Sequence, residues 1–297
     1  YLLLLLSDGN LPTGSFVSSS GLESYFKHGF PALAQETILD PGTPKAPVGI
    51  QSTIAFIRQS LAAYTRLALP FASDAHVVTA ETEGSTEQSV LHQLHELDAR
   101  YEAMTLNHIT RRASKAQGVA LLTLFSKGFS RPGWVDGLTV EGSIDKSLGP
   151  RSQNQRVFES LVDAFKLSIR RGETPGHLPV CWGVLTASLL LSKERSQQLF
   201  LFLFARSLLS AAIRLNTIGP YAAQQLLLHV IRPMVDEEAA NCGSLSAQMP
   251  PSQKQKPTHG EEDWDRLENE GLPATTWPLG EILAARHDLQ HSRIFNS

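Results

Sequence analysis

The chain has 297 residues, 42% hydrophobic and only 19% charged, with a formal net charge of -3. That balance, with no concentrated Lys/Arg stripe, offers nothing to hold a phosphate backbone and argues against nucleic acid as a ligand. Two widely separated cysteines, Cys181 and Cys242, make no disulfide framework, so a reducing, cytoplasmic setting is expected. The leucines at 2–6 and the apolar run at 199–213, which contains Arg206, are each shorter than the ~20 residues of a membrane span.

Residues 2–23, LLLLLSDGNLPTGSFVSSSGLE, are the least ordinary part of the chain. Gly, Asn, Pro and Ser at this density mark sharp backbone turns, with Phe16 and Leu22 close by. Residues 20–28 read as a short helix with serines as N-caps and Gly29 as its stop. The proline- and glycine-rich stretch at 31–49 reads as an inserted loop. Over 50–69, Ile54, Ile57, Leu61, Tyr64 and Leu67 recur at the helical period, and Pro70 is predicted to close that helix. A further helix is expected at 71–82, with a break at 83–86.

Residues 89–105 place Leu91, Leu94, Leu97, Tyr101 and Met104 on one helical face. Residues 110–125 present Ala113, Ala116, Ala120, Leu121 and Leu124, a face small enough for close helix approach. Residues 128–152 have no sustained period and read as a second insertion. The helical pattern resumes at 153–170, turns at 172–176, and continues at 177–191, with Pro179 tolerated in the first turn. Residues 193–214 are apolar on nearly every side, which marks a central helix. Gly219-Pro220 opens a last core helix through residue 238. Proline and charge dominate 241–276, a composition that favours disorder. A helix is expected at 278–287, and the tail at 289–297 has Ile294 and Phe295 as its only bulky anchors.

No stretch shows a strand's period of two. The expectation is an all-α protein, a single helical, bundle-like domain of about ten helices. Its core spans 1–240 with loops inserted at 31–49 and 128–152. A flexible linker or insertion at 241–276 then leads to a C-terminal helix and docking tail at 277–297.

Candidate chemistry is sparse. His92, His95 and Glu96 stand at i, i+3 and i+4, a spacing that reaches a common metal. Their order, HQLHE, is not that of the zinc hydrolases, and an exposed polar face explains it equally well. His177 and Cys181 read as a capping histidine and a core cysteine. His287 and His291 are again four apart, but a tail of mixed polar and bulky residues reads better as a docking segment. There is no phosphate loop and no nucleophile elbow, so neither a nucleotide site nor a catalytic set is assigned.

Three stretches together resemble one known family. Leu4-Leu5-Leu6-Ser7-Asp8, Leu11-Pro12-Thr13-Gly14-Ser15-Phe16 and Ser20-Gly21-Leu22-Glu23 resemble the opening of UreF, the urease accessory protein F. Arg112-Ala113-Ser114 with Gln117-Gly118 resembles its mid-chain helix. His177-Leu178-Pro179-Val180, Ala212-Ile213-Arg214-Leu215 and the ending Arg293-Ile294-Phe295 with Ser297 resemble its C-terminal half. The resemblance is interrupted at 31–49, 128–152 and 241–276, in the manner of a eukaryotic, fungal member.

The resemblance implies a non-enzymatic, homodimeric assembly factor. Such proteins bind UreD, also called UreH, and the GTPase UreG, and the complex delivers nickel to apo-urease. Nickel and GTP are then handled by the complex, with no cofactor bound by this chain alone. Arg293, Ile294 and Phe295 match the tail that orders against UreD in this family. The N-terminal motif would present Phe16, Leu22 and Glu23 to the partners, although Glu23 serves equally well as a local cap or ion-pair partner in its helix. The alternative is a metal carrier holding nickel through His92 and His95 or through His287 and His291.

Overall fold

One long helix sets the frame. In the computed structural model, which describes residues 1–8, 11, 18–33, 47–82, 86–130, 153–248 and 272–296, α4 (Val48–Ala80) runs unbroken for 33 residues. Pro70, expected to end a helix and separate it from the next, instead lies inside α4. An interior proline costs about 3 kcal/mol through a lost hydrogen bond and a crowded preceding turn. Leu67, Ala68, Leu69, Phe71 and Ala72 on both sides of it are all buried. At about 1.5–3 kcal/mol per buried large apolar side chain, that packing outweighs the break.

The shorter helices are built around this one. Upstream lie α1 (Leu2–Leu6), α2 (Leu22–Lys27) and α3 (Phe30–Leu33). Downstream follow α5 (Glu87–Met104), capped by the Thr86 hydroxyl, and α6 (His108–Leu124), capped by the Asn107 carbonyl oxygen. A π-helical turn, Phe125–Phe129, extends α6. Then come α7 (Gln153–Arg170), α8 (Leu178–Ser188) and α9 (Lys193–Arg214). The single last core helix expected to reach residue 238 is instead α10 (Pro220–Leu226), a π-helical turn at Leu227–Ile231 and α11 (Arg232–Cys242). Finally α12 (Pro278–Ala285) runs into a 3-10 turn, Arg286–Leu289. No strand occurs among the described residues, and the fold is all-α as expected. Phe16 and most of the three expected insertions lie outside the described residues.

Every residue of α8 from Pro179 to Ser188 is buried, and the helix packs closely on α4 and α6. Two glycines permit this. A Cβ at Gly183 would stand 2.5 Å from the Ala72 carbonyl oxygen and 2.6 Å from the His76 amide nitrogen of α4. One at Gly118 of α6 would meet the Gly176 carbonyl and come within 2.9 Å of Cys181 Sγ. From the other side α9 packs on α4, and the Trp182 indole N–H donates to the Ser196 carbonyl and hydroxyl at 3.2 and 3.1 Å. By length and hydropathy alone α9 matches a membrane span. In the fold its Leu199, Leu201, Ala205, Leu208 and Ala212 belong to the continuous core.

Candidate functional site: the tail, the second helix and the sixth

The serine-glycine run ahead of α2 forms a tight corner. Ser20 and Gly21 both take positive φ, 48° and 88°, and the Leu22 amide donates to the Ser19 carbonyl at 3.0 Å. A Cβ on Gly21 would sit 3.3 Å from the Ala284 amide nitrogen, so glycine here also admits α12. The corner turns α2 so that Leu22, Glu23 and Ser24 have no exposed surface, with Tyr25 almost as buried. Tyr25 packs in an aromatic group with Phe26, Phe30 and Phe56.

Glu23 is a buried carboxylate facing the end of the chain. Its Oε1 accepts from the Ile294 amide at 2.9 Å and pairs with Lys27 Nζ at 2.9 Å. Its Oε2 accepts from the Phe295 amide at 3.4 Å and lies 3.7 Å from His287 Nε2. Gln290 donates to the Ser24 hydroxyl at 2.6 Å, and Lys27 donates to the Ser292 carbonyl. Phe295 is buried, with the Arg214 guanidinium 5.9 Å from its ring centre.

Asp288 ties the same segment to α6. Arg112 donates to both carboxylate oxygens at 3.1 Å, and Arg293 donates to Oδ1 at 2.8 Å. The Arg112 hydrogen bonds hold the Asp288 carboxyl down at about 2, well below the ordinary aspartate range. Arg112 also reaches the Asn296 carbonyl at 3.3 Å. Of the residues expected to meet partners, Leu22, Glu23 and Phe295 therefore lie inside the chain's own packing. Arg293 and Ile294 stay exposed, the latter at 60%.

The weak metal candidates do not converge. His92 pairs loosely with Glu96 at 3.5 Å, both largely exposed. The His95 ring stands 6.0 Å from that of Phe165, and His287 is buried between Glu23 and Asp288 while His291 is exposed. Among the described residues no group of three or more His, Cys, Asp and Glu side chains is placed to hold a metal ion.

A second polar cluster joins α5, α6 and the start of α8. Asp98 accepts from the Thr174 hydroxyl and Gly176 amide at 2.6 Å and the His177 amide at 2.9 Å. His177 contacts the Ser114 hydroxyl through Nδ1 at 3.1 Å and Glu102 through Nε2 at 2.5 Å. Burial pushes the His177 imidazole down, against the opposing pull of Asp98 and Glu102. Burial would raise Glu102, but its hydrogen bonds with Lys115 and His177 bring it below the ordinary range. Sequence reasoning assigned His177 a capping role and missed Asp98 and Glu102. A signal was available for Asp98, which falls four residues after Leu94 and three before Tyr101, on the buried face of α5.

Tyr64, Phe200, Phe204, Trp182 and Trp277 help line a cavity of about 250 Å³ between these two polar regions, and Ser114 and Glu281 also border it.

The UreF family model matches residues 49–231. The chain is 42% identical to urease accessory protein 6 of Cryptococcus neoformans var. grubii, over all of this chain and 96% of that protein. It is 28% identical to an uncharacterized urease accessory protein UreF-like of Schizosaccharomyces pombe, over all of this chain and 97% of that one. The urease accessory protein F of Arabidopsis thaliana is also 28% identical, over 73% of this chain and 69% of its own. The all-helical fold and these likenesses define an accessory protein of the urease system. The chain is a member of the UreF family.

Proposed function

We propose that the chain is a scaffold that binds UreD and UreG and couples GTP hydrolysis to nickel insertion into apo-urease. It acts in the cytoplasm, as a homodimer and through protein contacts alone. The supporting observation is convergence. Three stretches distant in sequence, the Ser20–Gly21–Leu22–Glu23 corner, Arg112 of α6 and the Arg293–Ile294–Phe295 tail, meet through Glu23 and Asp288. The exposed edge of that junction, Arg112, Arg293 and Ile294, comes from stretches that carry the family resemblance and supports a partner site there.

The test is size-exclusion chromatography of the purified chain with purified UreD and UreG under reducing conditions. One co-eluting complex is expected, and separate elution at micromolar concentrations would reject the scaffold.

A further inference from the structure

A run of aromatic rings walls the cavity between the two polar regions. Tyr64 of α4 stacks on Phe204 and Phe200 of α9, with ring centres 4.0 and 5.3 Å away. Trp182 of α8 continues the run, 5.7 Å from Phe200. Trp277, just ahead of α12, joins the lining from the far end of the chain and is braced 5.3 Å from Phe56. The volume of about 250 Å³ sets the size of a ligand. An apolar cavity of about 150 Å³ holds benzene, so this one takes a ring with a head group of a few further heavy atoms.

Charge sets its sign. The charged side chains among the described lining residues are Asp8, Glu281 and Arg206, and Arg206 already donates to the Ser7 carbonyl. Glu281 lies in the first turn of α12, where the Asn107 side chain holds its main-chain carbonyl at 3.0 Å. Its Oε2 is buried and has no hydrogen-bond partner among the described residues. Burial pushes the Glu281 carboxyl up, and it raises the Tyr64 and Tyr101 phenols of the same wall as well. An anion at this wall therefore lacks a counter-charge.

We propose that the cavity is a binding site for a small organic monocation, a quaternary or protonated amine whose charge meets the Glu281 carboxylate and whose body lies on the aromatic wall. The faces of Tyr, Trp and Phe attract the same charge that the carboxylate does. Rotation about the last side-chain torsion of Glu281, a soft coordinate, turns Oε2 toward the ligand. An anionic ligand would meet a like charge, and a neutral one would leave the carboxylate unpaired. The site stands apart from the tail and does not depend on the proposed scaffold role.

Titration of the full chain at neutral pH, read by calorimetry and tryptophan emission, tests the site. The probes are phenyltrimethylammonium and 2-phenyl-2-propanol, an uncharged molecule of the same shape. The cation should bind saturably, and the alcohol at least about tenfold more weakly. Glu281→Gln keeps the shape of the wall and removes its charge. Cation affinity should fall at least about tenfold in that variant, while the alcohol stays within about twofold of its wild-type value. Ser207→Phe, which fills the cavity from α9, should abolish binding of both probes.

Equal affinity for the two probes would overturn the proposal, as would unchanged cation affinity in Glu281→Gln. Cation binding that survives in a folded Ser207→Phe chain would place the site elsewhere and overturn it too. So would the absence of saturable cation binding up to about 10 mM. Should Glu281→Gln fail to fold, the comparison of the two probes on the wild-type chain still decides.

Discussion

Asp288 and His177 show how single residues report on the two polar regions. The Arg112 hydrogen bonds hold the folded-state Asp288 carboxyl down at about 2, below the ordinary aspartate range. A depressed carboxyl stabilises the fold fully above its unfolded pKa, and that contribution is lost as pH falls through the folded value. Asp288 remains partly exposed to solvent, so screening reduces the expected effect to about 1 kcal/mol. Urea titrations of wild type and Asp288→Asn should differ by about that much at neutral pH and converge near pH 2. A gap that stays constant with pH would remove the ion pairs from the account.

His177 acts in the same direction of pH, through burial of an imidazole and not through ion pairs. Burial pushes its imidazole below the ordinary histidine range, so protonation favours the unfolded chain. Stability should therefore decline as pH falls below about 6.5, and His177→Asn should flatten part of that slope while lowering stability overall. His76 is also lowered by burial and should supply a remaining share. An identical slope in the variant would show that His177 does not titrate in this range.

At the scale of elements, the contact between α4 and α8 depends on Gly183. The atoms a Cβ would strike, the Ala72 carbonyl oxygen and the His76 amide nitrogen, belong to helix backbone and cannot rotate away. Gly183→Ala should cost about 1–3 kcal/mol as overpacking, despite alanine's better helix propensity. A lower urea midpoint with unchanged helical circular dichroism is the expected reading. A raised midpoint would mean that the two helices separate easily.

This same layer shows what was legible in the sequence. The heptad-like spacing of Ile54, Ile57, Leu61, Tyr64 and Leu67 identified the first half of α4 because one buried face dictates that period. Pro70 misled, because its local cost is visible in the sequence and the packing of Leu69 and Phe71 on either side is not. The π-helical turn at Leu227–Ile231 was likewise invisible, since it changes the register of a helix without changing its composition.

Across the whole molecule, the sequence reads the tail as a segment that docks on a partner, and its packing against the chain's own second helix is not legible there. Glu23 and Ile294 are 271 positions apart, and no periodicity links residues at such a separation. Glu23 stands out beside Asp8 as one of two charges in the N-terminal motif, and sequence alone leaves a local ion pair and a partner contact both open. Its pairing with Lys27 is that local ion pair, and the Ile294 and Phe295 amides supply a third answer. Asp98 and Glu102 are not legible because acidic residues on a helix usually face water, and their partners, Thr174 to His177 for Asp98 and His177 with Lys115 for Glu102, come from other elements.

The proposed role of this UreF-family chain is to couple a GTPase to metal delivery without holding the metal itself. The most direct measurement is reconstitution of urease activity from apo-urease, nickel, GTP, UreD and UreG, with and without the chain. Activation is expected only when both the chain and hydrolysable GTP are present, and nickel titration of the chain alone should reveal no tight stoichiometric site. Equal activation without the chain, or one tight nickel per isolated chain, would contradict it.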